Sequence, residues 1–372
     1  MPAPASPTLP TRWDLFCRVI DNHGDLGVAW RLARALARRG AATRLWVDDA
    51  SALAWMAPQG AAGVEVLAWT ASPPDLEPGD VVIETFGCDP PPQFVARMAA
   101  RRAAGQPQPV WINLEYLSAE AYVERSHGLA SPQCSGPGQG LSKWFFYPGF
   151  TPRTGGLMHA DVPAGDAAQH RAWLQQQGWV QPGERLALLF CYDGAPLAPL
   201  LQRLASQALT DGQPLRLLAC PGGAQRTLAG LDLPEQLRIT ALPWLTQPDF
   251  DRALAGCDAA LVRGEDSFVR AQLLVAGPVL WQIYPQHDGA HAAKLQAWMR
   301  LLLAGAEPGL TAGIAQAQQA VNGLGDWPEA VPLHPDGWAG WAALQGRWRA
   351  SLLAQPDLVD QLCRFVTGKT LE

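Results

Sequence analysis

Short apolar runs alternate with longer segments of helical periodicity along most of the chain. Helical spacing of apolar positions covers 28–39, 49–56, 92–102, 166–178, 197–208, 248–257, 291–303 and 338–366. The apolar runs have strand length and are 13–20, 43–47, 64–68, 81–84, 110–114, 143–147, 186–192, 215–220, 238–242, 259–262 and 279–283. One segment rich in Gly, Ser and Pro, 126–142, is predicted to be a long functional loop. The alternation of strand and helix predicts open parallel α/β sheets.

The strand–helix alternation occurs in two series, and the length of 372 residues fits about two domains. We predict a disordered Pro-rich leader at 1–12, a first Rossmann-like domain at 13–178 and a second at 179–340. The helices of 341–372 are expected to pack back across the domain junction. Parallel sheets bind ligands at the carboxyl ends of their strands, so we expect the two domains to face a central cleft there.

Composition narrows the class of protein. The formal net charge of -6 argues against a nonspecific nucleic-acid binder. The N-terminus has no apolar core of a signal peptide, and no apolar run approaches the roughly 18 residues of a membrane span. The seven cysteines include no C-x-x-C pair and are predicted to be small buried hydrophobes in a reducing compartment. We therefore expect a soluble cytoplasmic protein that binds neither nucleic acid nor membrane.

The turn after the strand at 259–262 is the strongest candidate site. It reads Arg263, Gly264, Glu265, Asp266, Ser267 and leads into a helical pattern. A strand, a tight turn and a helix N-terminus form an anion site, because backbone N–H groups and the helix dipole point at the turn. Arg263 adds a forked donor that matches phosphate. The alternative is that Asp266 and Ser267 cap the helix and that Arg263 is their ion-pair partner.

The turn from Asp21 to Asp25 follows the first strand and holds two acids with Gly24 and Gly27 nearby. A carboxylate at this edge of a sheet can approach a substrate and act as a general base. The alternative is a plain turn with Asp25 as the helix N-cap. Neither G-x-G-x-x-G nor G-x-x-x-x-G-K-[ST] occurs, which argues against dinucleotide oxidoreductases and P-loop NTPases.

Two further sets of residues have competing interpretations. His287 and His291 share a helical spacing, but H-E-x-x-H is absent and a metal site is not expected. The aromatic residues near the predicted cleft of the second domain either pack in its core or stack on a flat base; they are Phe190, Tyr192, Trp244 and Phe250.

Several strings occur together in the order and spacing of one family. They are WDLFCRVIDNHGDLGVAWRLARALA from Trp13, INLEYLSAE from Ile112, SHGLASPQ from Ser126, KWFFYPGFTPRTGGL from Lys143, LFCYDG from Leu189, RGEDSFVRAQ from Arg263 and IYPQ from Ile283. From Trp13 to about Trp298 the chain resembles the bacterial protein-arginine rhamnosyltransferases that modify translation elongation factor P. The resemblance implies a GT-B glycosyltransferase that moves L-rhamnose from dTDP-β-L-rhamnose to an arginine of elongation factor P, with inversion and without a metal or other cofactor.

The resemblance also implies roles for individual residues. Asp21 matches the general base or acceptor-activating carboxylate, Asp25 the acid that shapes the same site, and Glu265 the acid that contacts rhamnose. The diphosphate and donor positions are matched by Arg263, Tyr192, Gln247, Asp266 and Ser267, and the positions around thymine by Phe190, Trp244 and Phe250. Two positions depart from the family pattern, because Trp244 stands where Phe is expected and His23 where Tyr is more usual.

Three other functions fit the same fold. They are a nucleotide-sugar transferase with a small-molecule or lipid acceptor, a nucleotide-sugar epimerase or hydrolase, and a noncatalytic nucleotide-binding regulator. Paired acids weakly favour a cationic acceptor, since an arginine guanidinium stays protonated and needs carboxylates to bind it and take its proton. Which of Asp21 and Asp25 takes the proton stays open.

Overall fold

The computed structural model describes residues 10–20, 23–285, 289–327 and 335–370, without the side chains of 207–211, 335 and 336. Contacts divide the chain into two units. The first is Met1–Asp161 with Gln355–Glu372, and the second is Val162–Ala354. No helix among the described residues has the length and apolar character needed to cross a membrane.

The first unit is built on a seven-stranded sheet with the order β3-β2-β1-β4-β5-β7-β6. Only β6 is antiparallel to its neighbour. The elements are β1 (Arg12–Cys17), α1 (Gly24–Arg38), β2 (Ala42–Val47), α2 (Leu53–Met56), β3 (Val64–Ala68), β4 (Val81–Thr85), α3 (Pro92–Ala103), β5 (Val110–Leu114), α4 (Ala121–Ser126), β6 (Ala130–Pro132), β7 (Ser142–Phe146) and, after the second unit, α13 (Leu358–Thr370).

Both faces of this sheet are covered, which is why most positions in its central strands are apolar and buried. Leu15 and Ile83 point to one face, where α1 and α13 pack, and Phe16 points to the other. There Phe16 stacks on Trp46 at 5.4 Å and meets Phe94 of α3 edge to face. The first sheet is thus enclosed between helices, and only the ends of its strands are open for a site.

The C-terminal helix α13 is tied to the first unit by ion pairs and backbone hydrogen bonds. Arg39, which follows α1, places its guanidinium 2.6 Å from the Asp360 carboxylate. Asp357 accepts hydrogen bonds from the backbone N–H groups of His159 and Ala160. The last residues of the chain therefore belong to the same unit as the first strand.

The second unit contains a five-stranded parallel sheet with the order β10-β9-β8-β11-β12. Its elements are α5 (Ala167–Gln176), β8 (Arg185–Leu189), α6 (Ala198–Asp211), β9 (Leu215–Ala219), α7 (Gly223–Ala229), β10 (Leu237–Ala241), α8 (Gln247–Ala255), β11 (Ala259–Arg263), α9 (Asp266–Leu274), β12 (Val279–Gln282), α10 (Ala290–Leu302), α11 (Pro308–Val321) and α12 (Pro335–Leu353).

Helix α9 is held firmly in the core of the second unit. Phe268 on its first turns stacks on Trp281 of β12 at 3.7 Å, and Trp298 closes the cluster edge to face. A buried ion pair joins α9 to α8, with Arg270 Nη2 3.0 Å from Asp251 Oδ2. Helices α8 and α9, which both begin at the carboxyl edge of the sheet, are therefore fixed to each other.

Replacement of Arg270 by alanine is expected to lower the free energy of unfolding by about 3–5 kcal/mol, because it leaves the Asp251 carboxylate buried without its cation. The side chains of Arg270 and Asp251 are 0% and 3% exposed. Arg226→Ala is a control in the same unit, since Arg226 is 65% exposed and its ion pair with Asp193 lies at the surface, so its removal should change the free energy of unfolding little. Urea denaturation followed by tryptophan fluorescence measures both. Equal losses in the two variants would contradict the structural role of the buried pair.

The predicted domain boundary at residue 178 differs from the division in the structure, which falls after Asp161. Helix α5 belongs to the second unit because it packs on α8. The Arg252 guanidinium lies 4.3 Å from the ring centroid of Trp173, and Leu174 packs against Gly256. The expected C-terminal region 341–372 is also divided, since most of α12 lies on the second unit and α13 on the first. Residues 1–9 of the predicted leader lie outside the described residues.

Most predicted elements are found, with differences at specific places. Helix α1 begins at Gly24 rather than near residue 28. The segment predicted as a long loop contains the short strand β6, and α4, α7 and α11 were not predicted. All cysteines are free thiols. The four buried ones, Cys17, Cys191, Cys220 and Cys257, agree with the prediction of small buried hydrophobes, whereas Cys134 is exposed.

Candidate functional site

The carboxyl ends of β8, β11 and β12 lie side by side in the second sheet. Arg263, the last residue of β11, is in register with Gln282, the last residue of β12. Phe190 follows β8, and its N–H donates to the carbonyl of Leu261. Residues that the sequence places in three separate motifs are thus brought to one edge.

Arg263 is flanked by aromatic rings. Its guanidinium carbon lies 4.6 Å from the ring centroid of Phe190 and 4.7 Å from that of Tyr192. Among the described residues, no carboxylate lies within ion-pair distance of Arg263. The alternative in which Arg263 pairs with the acids of its own turn is therefore wrong. Ring faces hold the guanidinium in place while leaving its N–H groups for an anion.

The backbone turns sharply after Arg263. Gly264 has a φ of 64°, a left-handed conformation that glycine adopts without strain. Its N–H donates to the carbonyl of Gln282, and its carbonyl accepts from Trp281 Nε1 at 2.7 Å. The turn aims the N-terminus of α9 at the same edge as Arg263. The first N–H groups of a helix have no partner within the helix, so this terminus can bind an anion.

The acidic residues of this turn do not cap α9 as a simple capping turn would require. Glu265 is the N-cap residue of α9 and makes no side-chain cap, and Asp266 is the first helical residue. Ser267 donates its hydroxyl hydrogen to the carbonyl of Arg263. The Glu265 carboxylate lies 4.0 Å from Lys294 Nζ, on α10. The idea that Asp266 and Ser267 are the capping residues is therefore wrong.

Gln247, Phe250 and Trp244 lie on or just before α8. Gln247 is the first residue of that helix and is buried. The Phe250 ring meets that of Phe190 at 5.7 Å and 65°. Trp244 precedes the helix and is 47% exposed, which is unusual for an indole that serves only in the core. The contacts thus join Phe250 and Phe190 to Arg263 and Tyr192 in one cluster, and Trp244 lies three residues before α8.

Three residues of this edge were not predicted as site residues. The Tyr284 ring, 42% exposed, meets Tyr192 at 5.6 Å and 79°. Gln282 accepts the backbone N–H of Tyr192 at 2.8 Å, which fixes the loop after β8. Lys294 pairs with Glu265. The sequence singles out both Tyr284 and Lys294. Tyr284 lies in the string IYPQ, which matches the family, and Lys294 is one of three lysines in the chain.

In the first unit, Asp21 lies outside the described residues, which resume at His23. Asp25 is in the first turn of α1 and is 3% exposed. Its Oδ2 accepts the backbone N–H of Ile20 at 2.8 Å. The N-cap residue is His23, so the alternative in which Asp25 caps the helix is wrong. Asp25 instead links Ile20, which follows β1, to the first turn of α1.

Metal ligands were not expected. Among the described residues, no group of three or more His, Cys, Asp or Glu side chains is placed to hold a metal ion. His291 is in α10, and His287 lies outside the described residues. The expectation of a reaction without metal stays a prediction.

Comparison with known proteins identifies the family. The model of the family described as Elongation-Factor P (EF-P) rhamnosyltransferase EarP matches residues 13–367. A protein-arginine rhamnosyltransferase of Pseudomonas putida is 41% identical, over 95% of this chain and 98% of its own length. The chain belongs to the EarP family. A second protein-arginine rhamnosyltransferase, from Pseudomonas aeruginosa, is 37% identical over 95% of this chain and 98% of its own.

Solved structures agree with this EarP assignment. One solved structure concerns the structural basis for EarP-mediated arginine glycosylation of translation elongation factor EF-P. Its chain aligns with this one at a TM-score of 0.60 and 29% identity, over 95% of this chain and 98% of that one. The glycosyltransferase VinC in complex with dTDP aligns at a TM-score of 0.52 and 14% identity, over 97% of this chain and 100% of that one, which shows a shared fold. The predicted GT-B fold, the family and the enzyme class, a protein-arginine rhamnosyltransferase, are confirmed.

Proposed function

We propose that this EarP-family chain transfers L-rhamnose from dTDP-β-L-rhamnose to one arginine side chain of translation elongation factor P, with inversion at the anomeric carbon. The name of the family and the subject of the solved EarP structure support elongation factor P as the acceptor. Because that acceptor serves translation, we also propose that the reaction takes place in the cytoplasm.

One observation carries the donor half of the proposal, namely the position of the Arg263 guanidinium. It is held against the rings of Phe190 and Tyr192, beside the N-terminus of α9. A departing nucleoside diphosphate develops negative charge, and fixed donors in place before the reaction stabilise that charge. We assign the diphosphate to Arg263, the first N–H groups of α9 and nearby hydroxyls. This charge neutralisation lets us propose catalysis without a metal.

We divide the remaining residues of the proposed donor site between those that contact the thymine base and those that contact the sugar. We assign thymine to the aromatic residues Phe190, Phe250 and Trp244, since one exposed and two half-buried rings near a polar edge suit stacking on a flat base. We assign rhamnose hydroxyls to Glu265. Its carboxylate lies 4.0 Å from Lys294 Nζ, and carboxylate oxygens accept hydrogen bonds from hydroxyl groups. Tyr192, Gln247, Asp266 and Ser267 complete the proposed donor site.

The acceptor half of the proposal rests on the chemistry of guanidinium. The cation has a pKa above about 12, so its nitrogen attacks only as a proton leaves. We propose that Asp21 takes that proton. Asp25 already accepts a backbone hydrogen bond from Ile20, so we assign it to holding the turn rather than to proton transfer. Direct displacement at the anomeric carbon then needs no enzyme nucleophile, and the nitrogen–carbon bond forms as the diphosphate departs.

The decisive experiment is the intact mass of purified elongation factor P after incubation with this protein and dTDP-β-L-rhamnose. We expect a gain of one deoxyhexose, and no gain when the acceptor arginine is replaced by lysine. Free rhamnose or an isomerised nucleotide sugar without a mass gain would instead indicate a hydrolase or an epimerase. Turnover only with a small-molecule acceptor would show that the acceptor is not a protein, while the proposed donor would stand. Binding of the donor with no turnover would indicate a nucleotide-binding regulator.

A further inference from the structure

The loop after β4, residues 86–89, has an unusual backbone. Phe86 and Asp89 have φ values of 59° and 37°, and Gly87 between them has 68°. Left-handed φ is readily adopted by glycine but costs energy for phenylalanine, so a fold keeps it only where the surroundings impose it. Such positions concentrate at binding and catalytic sites. The loop also lies at the carboxyl edge of the sheet, on the strand next to β1.

Hydrogen bonds fix this loop to the strands on both sides. The Thr85 hydroxyl and the Cys88 thiol both donate to the carbonyl of Phe16 on β1, at 2.9 and 3.2 Å. On the other side, the N–H of Phe86 donates to the carbonyl of Leu114 on β5 at 2.7 Å. The left-handed conformation is thus imposed from two strands, and it sets the direction of the Phe86 side chain.

The Phe86 ring stacks on Tyr116. Their centroids are 4.2 Å apart and the ring planes differ by 11°. Tyr116 follows β5 and is 38% exposed. A pair stacked for core packing alone would be buried on both outer sides, as Phe268 and Trp281 are in the second unit. Here the pair is partly open to solvent, and aromatic faces carry negative potential that attracts planar cations.

Glu115 directly precedes Tyr116, and its carboxylate is linked to the loop that carries Phe86. Its Oε1 accepts from Asn113 Nδ2 at 2.7 Å, and Asn113 Oδ1 accepts the N–H of Gly87, so one amide ties the acid to the loop. Burial raises the pKa of the Glu115 carboxyl. Among the described residues, no Lys, Arg or His lies within ion-pair distance of it, and Lys143 lowers its pKa only from farther away. A half-buried carboxylate in this situation gains from an incoming cation.

We propose that Phe86, Tyr116 and Glu115 form the subsite that takes the guanidinium of the acceptor arginine. This inference rests on the proposed function and names the residues that recognise its acceptor. The cation stacks on the Tyr116 face, and its N–H edge donates to the Glu115 carboxylate. A guanidinium has five N–H donors, so these contacts leave one nitrogen for the new bond to rhamnose. Phe86 supports the Tyr116 ring from behind, and the three residues position the acceptor without taking its proton.

The test is binding of elongation factor P in the absence of donor, measured by titration calorimetry. Wild-type enzyme is compared with Tyr116→Ala and Glu115→Gln, each against elongation factor P with and without its acceptor arginine (Arg→Ala). We expect wild-type enzyme to bind the arginine form about 10-fold or more tightly than the alanine form, because stacking and a charged hydrogen bond are both lost. Tyr116→Ala and Glu115→Gln should each remove most of that difference.

Two controls separate recognition of arginine from general damage. Val66→Ala removes another exposed apolar side chain of the same unit, 40% exposed and on β3, which is separated from β5 by three strands, and should keep the full discrimination. Tyr116→Phe keeps the aromatic ring and should also keep the full discrimination between the two forms of elongation factor P. In steady-state assays the KM for elongation factor P should rise in Tyr116→Ala, while the KM for dTDP-β-L-rhamnose stays unchanged.

The outcomes distinguish this inference from the function on which it rests. Discrimination retained in both Tyr116→Ala and Glu115→Gln would overturn the subsite. Wild-type enzyme that transfers rhamnose but binds both acceptor forms equally would also overturn it, with the proposed function intact. Discrimination that is lost in the two variants supports the subsite, even if wild-type enzyme then fails to transfer rhamnose and the proposed function falls.

Discussion

Replacement of Asp21 by asparagine is expected to reduce kcat for arginine rhamnosylation by about 10²–10⁴-fold, the usual contribution of a positioned general base. The amide has nearly the size of the carboxylate but cannot take a proton from guanidinium. Affinity for dTDP should stay near that of the wild-type enzyme, because the donor residues are assigned to the other unit. Single-turnover transfer to elongation factor P and calorimetric binding of dTDP measure the two effects.

The comparison with Asp25 makes this prediction specific. Asp25 is buried and accepts the N–H of Ile20, so Asp25→Asn weakens a charged hydrogen bond and should lower the free energy of unfolding by about 1–3 kcal/mol. Its loss of activity should therefore accompany a lower melting temperature. Near-normal turnover by Asp21→Asn would show that another group takes the proton, and Asp25 would be the next candidate.

Local patterns in the sequence predicted the type of fold and the positions of most elements. Buried strands such as 259–262 are apolar on both faces, and the helices that cover them show helical spacing. The periodicity and the length of each apolar segment therefore distinguish strands from helices. Turn residues predicted the site in the same way. Arg263, Gly264 and the start of α9 are consecutive in the chain, and their geometry follows from the strand–turn–helix pattern.

Elements held by distant contacts could not be predicted in this way. Helix α11 is rich in Ala and Gln and has few large apolar residues, so its periodicity is weak. It is stabilised by long-range hydrogen bonds, since Gln318 accepts the N–H of Trp281 and donates to the carbonyl of Val279 along the edge strand β12. The division of the chain after Asp161 likewise depends on the packing of α5 against α8.

The same limit applies to the site. The sequence could not show that Phe86 has a left-handed backbone, because that conformation is imposed by hydrogen bonds to β1 and β5. Nor could it show that Arg263 lies over two rings rather than against the acids of its own turn. Those rings come from residues more than seventy positions earlier in the chain, and only the order of strands in the sheet brings them to Arg263.

Replacement of Arg263 by alanine is expected to raise the Kd for dTDP by about 10–100-fold, which corresponds to loss of charged hydrogen bonds worth about 1.5–3 kcal/mol. The guanidinium is held by Phe190 and Tyr192, so the wild-type side chain loses little freedom when the diphosphate binds. Titration calorimetry with dTDP measures the change. The rate of transfer should fall further than binding alone explains, because charge on the diphosphate grows as the sugar departs.

Two variants test whether the fork of Arg263, rather than positive charge in general, is responsible. Arg263→Lys keeps the charge but presents one point donor, so its affinity should lie between those of wild-type enzyme and Arg263→Ala. Arg226→Ala removes another arginine of the same unit, one that is 65% exposed and paired with Asp193, and should leave dTDP binding nearly unchanged. If Arg263→Ala bound dTDP as wild-type enzyme does, the diphosphate would have to lie elsewhere on the sheet. A larger loss in Arg226→Ala than in Arg263→Ala would point to the loop after β9, because Arg226 lies on the short helix α7 that follows it.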